Sequence, residues 1–84
     1  MQPIHELLSR IRWDPHYRDS QFEIGYYDRI RDEVIRIPFS NLFFPKDDHF
    51  DFLVTDEEGE LHRIPFHRIK SVYRDGELIW HREH

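Results

Sequence analysis

Arginine and histidine supply most of the chemistry available to this chain. The tetrapeptide R-I-P-F occurs at residues 36–39 and again at 63–66, and residues 33–42 align with 60–69. The repeat sets Arg36 and Arg63 at equivalent positions, where they form a candidate anion-binding pair. The second copy runs directly into His67 and Arg68. A guanidinium holds phosphate oxygens through paired N–H donors, and an adjacent imidazole donates a hydrogen bond or moves a proton. Arg82, near the end of the chain, joins this set. The competing reading is that Arg36 and Arg63 bridge to carboxylates across a sheet, each pair contributing less than about 1 kcal/mol.

Other chemistries find less support. The histidines are His5, His16, His49, His62, His67, His81 and His84. None forms an H-x-x-x-H pair on a helix, and His49-x-Asp51 alone is a weak metal signal, so neither a metal nor a cofactor is expected. The chain has no cysteine, which removes disulfides and thiolate sites. Its only glycines are Gly25, Gly59 and Gly76, too few for a glycine-rich phosphate loop. His67 is the best-placed general acid–base, but no second histidine stands in an H-x-S/T repeat, and no nucleophile has a recognisable context. The expectation is therefore no catalytic residue and no enzyme.

Aromatics make up 15% of the residues, and arginine interleaved with aromatics is a generic feature of single-strand nucleic-acid binders. Tyr26 and Tyr27 are neighbours, so in a strand they face opposite ways. The outward one is the better binding candidate. Trp80, between Ile79 and His81, reads first as a packed residue and second as a stacking platform. A net charge of −5 opposes a polyanionic partner globally, so any nucleic-acid contact has to be local. The basic residues are ten Arg and two Lys.

These groups need elements to hold them. Residues 1–84 read as a single domain of a size that buries only about 60–65% of its unfolded surface. Ile4, Leu7, Leu8 and Ile11 make one apolar stripe of a short helix, with Pro3 at its start and Asp14-Pro15 as its stop. The remainder reads as β. Phe22, Ile24 and Tyr26 alternate with Glu23, Gly25 and Tyr27, and 34–37 form the return strand after a polar turn at 29–33. Residues 40–46 read as a loop bearing exposed Phe43 and Phe44. Phe50, Phe52 and Val54 alternate along the next strand, 60–64 follow an acidic tip at 56–59, and Asp75-Gly76 closes a last hairpin. Pro38 and Pro65 interrupt pairing. The expected fold class is α+β: one short N-terminal helix on a mainly antiparallel, curled sheet or small open barrel of about six short strands. The repeated strand–proline unit predicts one sheet built from two similar hairpins. With no long apolar run and no signal-peptide pattern, a cytoplasmic protein with no membrane partner is expected.

At 64–69, I-P-F-H-R-I, followed by Asp75-Gly76 and I-W-H-R at 79–82, the chain resembles the RNA cyclic group end recognition domain family, common in archaea. Trp13-Asp14-Pro15 and Tyr27-Asp28-Arg29 resemble its N-terminal motifs, so the likeness spans nearly the whole chain. The resemblance implies an RNA-binding module for 3′ ends bearing a 2′,3′-cyclic phosphate or a related processed terminus, with RNA-processing enzymes as partners. Carried over by motif, its site positions are Asp28, Arg29, His67, Arg68, Trp80 and Arg82. In this reading Arg68 grips the phosphate, His67 hydrogen-bonds it, and Tyr27 or Trp80 stacks the terminal base. One departure is Ile30, where the family favours glycine. Two alternatives stand beside it: a protein-interaction or homodimerisation module using the Phe43–Phe44 loop and an edge strand, and a phosphoesterase acting on cyclic phosphate ends.

Overall fold

The computed structural model describes residues 2–83; His84 lies outside them. Helix α1 (Ile4–Trp13) buries the stripe Ile4, Leu7, Leu8 and Ile11. Pro3 precedes it, and its carbonyl accepts the N–H groups of Glu6 and Leu7. Asp14 ends the helix in an extended conformation. Its carboxylate then accepts the His16 N–H at 2.9 Å to start a 3-10 turn, Pro15–Tyr17. Seven strands follow: β1 (Phe22–Asp28), β2 (Glu33–Pro38), β3 (Leu42–Phe43), β4 (Asp51–Thr55), β5 (Leu61–Pro65), β6 (Ile69–Arg74) and β7 (Glu77–His81). They form two antiparallel sheets, ordered β2-β1-β6-β7 and β3-β4-β5, that do not close into a barrel. The α+β class is as expected. The extra strand, β3, is a two-residue segment in what the sequence presents as a loop, too short to produce an alternation signal.

The repeat has a different meaning from the one its sequence suggests. Each copy is a corner between sheets, not a hairpin within one. Pro38 ends β2, the 3-10 turn Phe39–Asn41 follows, and β3 begins in the second sheet. Pro65 ends β5, the 3-10 turn Phe66–Arg68 follows, and β6 begins in the first sheet. The prolines have matching geometry, φ −62° and ψ 141° against φ −63° and ψ 143°. Proline lacks the N–H that would continue a ladder, and its ring presets φ for the turn.

Core residues come from both sheets and the helix: Ile24, Phe52, Ile69 and Val72 are fully buried, and Leu8 nearly so. A run of ring contacts threads the core: Tyr17–Phe22–Phe39–Phe44–Phe66–Phe52–Tyr26, with centroids 5.4 to 6.5 Å apart. Phe44 therefore sits between the equivalent phenylalanines of the two corners. Phe43 faces out and Phe44 packs inward, so the expected pair of exposed phenylalanines is divided. Gly25 occurs at a β-bulge, where β1 meets β6. A Cβ there would come within 2.3 Å of the Ser71 hydroxyl oxygen. The β6–β7 turn has Asp75 at φ 49° and Gly76 at φ 86°, the two left-handed residues that a tight hairpin requires.

Candidate functional site

Two clefts bring together most of the residues with chemical potential. The first has a volume of about 960 Å³ and is walled largely by aromatic and aliphatic side chains. The last turn of α1 contributes Arg12 and Trp13. Trp13 lies off the buried stripe, because two residues along a helix is a rotation of about 200° from Ile11, and Arg12, four residues after Leu8, lies at the stripe's edge. Trp13 is 71% exposed. The Arg12 guanidinium lies 5.0 Å from the Trp13 ring and 4.4 Å from the Phe44 ring, a cation–π arrangement.

Opposite the helix stands the turn before β4. The Asp48 carboxylate accepts the N–H groups of Phe50 and Asp51 and contacts the Arg63 guanidinium. The Phe50 N–H, as the leading cause, holds the Asp48 carboxyl below its usual range. This local capping takes Phe50 out of the strand and leaves it 79% exposed. The expected inward alternation therefore starts at Phe52, because Asp48 bonds the backbone of a turn where the sequence pattern suggests a strand.

The floor of this cleft is the second corner and the end of the chain. Phe66 and His67 line it, together with Arg82. Arg82 is half-buried, and its side chain donates from Nε to the Ile69 carbonyl at 2.8 Å and from Nη2 to the Phe66 carbonyl at 2.7 Å. It thus clamps the corner while presenting a cation beneath the aromatic walls. Burial lowers its pKa from the ordinary value, but arginine remains charged. His5 and His49 also line the cleft.

The second cleft, about 530 Å³, lies where the β1–β2 turn meets the β4–β5 tip, and Arg29, Arg31, Arg63 and Arg68 line it. Asp28 is the capping residue of the β1–β2 turn: its carboxylate accepts the N–H groups of Ile30 and Arg31 at 2.9 and 3.2 Å. The left-handed residue in this turn is Asp32, with φ 54°. Ile30, 93% exposed, has no positive φ to adopt, so the departure from glycine is accommodated. At the tip, Asp56 accepts the N–H groups of Glu58 and Glu60 and lies 2.7 Å from the His62 ring. That side-chain hydrogen bond is the leading cause both of the lowered Asp56 pKa and of the raised His62 pKa.

The expected site residues are thus divided. His67 and Arg82 share the aromatic cleft, while Asp28, Arg29, Arg63 and Arg68 share the other. His67 and Arg68 are consecutive, but successive residues of a 3-10 turn are rotated by about 120°, so their side chains diverge. Arg36 pairs with Glu23 at 2.9 Å and lies over the Tyr73 ring at 3.6 Å on the first sheet. Arg63 pairs with Asp48 and, at 3.7 Å, with Asp51 on the second. Each thus makes the carboxylate bridge that was the competing reading. Trp80 is buried and donates its indole N–H to the Gln2 carbonyl at 2.7 Å. Tyr26 is the inward member of the tyrosine pair, and the Tyr27 hydroxyl bonds Asp32, which raises its pKa. Neither Tyr27 nor Arg36 lines either cleft. Among the described residues no group of three or more metal-ligating side chains is arranged to hold a metal ion, and no helix is long and apolar enough to cross a membrane.

Sequence reasoning missed Arg12 and Phe50 as site residues, and valued Trp13 only as a helix-exit motif. The signal for the helix pair was present: Trp13 breaks the Ile4–Leu7–Leu8–Ile11 spacing, and Arg12 sets a charge at the next position of the same row. Phe50 had only the two acidic residues before it, Asp47 and Asp48, as a turn signal.

Comparison with known proteins agrees with the resemblance seen in the sequence. The chain is 30% identical over 80 residues to a UPF0248 protein of Methanococcus maripaludis strain S2, covering 92% of this chain and 95% of that protein. It is 28% identical over the same length, with the same coverage, to a UPF0248 protein of strain C7 of that species. No solved structure matches it. The model of one family matches residues 1–82, and the chain belongs to that family, the MJ1316 RNA cyclic group end recognition domain.

Proposed function

We propose that this protein is a non-catalytic reader of RNA 3′ ends carrying a 2′,3′-cyclic phosphate, and that the aromatic cleft receives the terminal nucleotide. The family's name supplies the ligand class. The observation that carries the assignment is that two exposed aromatics, Trp13 and Phe50, line the same cleft as Arg82. Large aromatics this exposed bury little in the free domain. They are suited to stacking a base, which contributes about 1–3 kcal/mol per base. Arg12, already seated against Trp13 and Phe44, together with Arg82 and His67, supplies donors for a singly charged cyclic phosphate. A 3′-monophosphate brings a second charge, and a 3′-OH end brings none.

The test uses short labelled RNAs identical except for a 2′,3′-cyclic phosphate, a 3′-phosphate or a 3′-OH. Fluorescence anisotropy at low and moderate salt is expected to favour the cyclic end, with the preference retained as salt rises. Equal binding to all three ends, or binding that vanishes with salt alone, refutes end recognition, because counterion release is blind to end chemistry.

A second reading rests on the outer face of the second sheet. Phe43 and Leu53 stand opposite each other there, beside exposed Leu61. As a homodimer face this patch predicts dilution-dependent sedimentation that is abolished by Phe43→Ser.

A further inference from the structure

The second corner separates the two clefts. The turn Phe66–Arg68 sends His67 to the aromatic cleft and Arg68 to the other. The second cleft gathers Arg29, Arg31 and Arg68, and none of these three makes an ion pair with a carboxylate among the described residues. The carboxylates beside them are engaged. Asp28 caps the β1–β2 turn through two backbone N–H groups. Asp56 holds the β4–β5 tip through two more, and contacts His62. Glu57 is exposed. Three guanidiniums thus line one cleft with their donors outside any ion pair, although Asp28, Asp56 and Glu57 line it too and moderate its charge.

Guanidinium forks match phosphate oxygens better than point charges do. The two clefts flank one 3-10 turn, so a strand with its terminal nucleotide in the first has the second as the neighbouring surface for its backbone. Resting on the end-recognition reading above, we infer that the second cleft binds the phosphodiester backbone upstream of the terminal nucleotide. The domain then reads an end together with the one to three nucleotides before it, and a free cyclic mononucleotide is a poor ligand. Arg68, Arg29 and Arg31 act on length, whereas Arg12, Arg82 and His67 act on end chemistry.

The test is a length series: a nucleoside 2′,3′-cyclic monophosphate, a dinucleotide and a tetranucleotide with the same cyclic end. Binding is measured by calorimetry for the parent, Arg68→Ala, and the double variant Arg29→Ala/Arg31→Ala. The last alters only exposed side chains, so it keeps the test valid if Arg68→Ala fails to fold. The parent is expected to bind the tetranucleotide about tenfold or more tightly than the mononucleotide. Its log K against log salt should steepen by about 0.7 for each phosphate gripped. Both variants should lose that gain and keep the mononucleotide affinity. A length gain equal in parent and variants overturns the second subsite and leaves the end-recognition reading intact. No binding at any length overturns both. Arginine-dependent binding of polyglutamate with no RNA length gain assigns the cleft to an acidic protein segment and overturns the inference.

Discussion

Arg82→Ala tests whether the corner between the sheets is held by the clamp described above. The side chain makes two hydrogen bonds, at 2.8 and 2.7 Å, to the carbonyls of Ile69 and Phe66. A charged donor to a sheltered carbonyl contributes about 1.5–3 kcal/mol, and a neutral or well-hydrated bond about 1 kcal/mol. Arg82 is half-buried, so each bond falls at the lower end, and the pair is worth about 2–3 kcal/mol. The backbone bond from the Arg82 N–H to the Lys70 carbonyl survives the substitution and is not counted. For a domain of this length 1 kcal/mol moves Tm by about 4–8 °C, so the expected fall is about 10–20 °C. Arg82→Lys keeps the charge but not the fork, and should recover about half of the loss. Thermal unfolding followed by circular dichroism measures both. An alanine variant melting within about 2 °C of the parent refutes the clamp. Loss of RNA binding in Arg82→Ala alone does not establish ligand contact, because the corner also carries His67.

Trp13→Ala removes a side chain that is 71% exposed. Stability should change by less than about 0.5 kcal/mol, while affinity for a cyclic-ended RNA falls about tenfold by anisotropy if the indole stacks the terminal base. Gly25→Ala forces a methyl group to within 2.3 Å of the Ser71 hydroxyl oxygen, and overpacking of this kind destabilises by about 1–3 kcal/mol. Urea unfolding should then recover part of the loss in Gly25→Ala/Ser71→Gly, and no recovery locates the strain elsewhere. The Asp56–His62 contact is pH-dependent in a calculable direction. His62 is raised above 6.5 and Asp56 lowered below 3.8. Their stabilisation is present between those two values, fades as pH rises through the raised His62 pKa, and fades again in acid through the lowered Asp56 pKa. An NMR titration should give a His62 midpoint above 6.5 in the parent and a lower one in Asp56→Asn.

Local pattern revealed much of this fold. Ile4, Leu7, Leu8 and Ile11 mark the buried helical face, Phe22, Ile24 and Tyr26 mark the inner face of β1, and Asp75-Gly76 marks the last turn. Each signal depends on neighbours within a few residues. What the pattern does not hold is which strand pairs with which across the chain. The two R-I-P-F segments look like equivalent hairpin pieces because their local geometry is the same. That one enters the second sheet and the other leaves it is decided by the pairing of β1 with β6 and of β3 with β4. Site residues failed in the same way. His67 and Arg68 look convergent as neighbours in sequence, and diverge because proline starts a 3-10 turn. Phe50 looks like a core position until Asp48 bonds its backbone.

The two corners also determine how the molecule comes apart. A cut between β3 and β4 leaves a first piece holding α1, β1, β2 and β3, and a second holding β4 to β7. Each piece spans both sheets, and each sheet is completed only by pairing across the cut. Neither sheet can then melt as a unit while the other persists, and neither piece has a complete layer on which to close its own core. The architecture is that of two clasped hands. The chain opened at the loop around Lys46 should yield fragments that are unfolded alone and that restore one another on mixing.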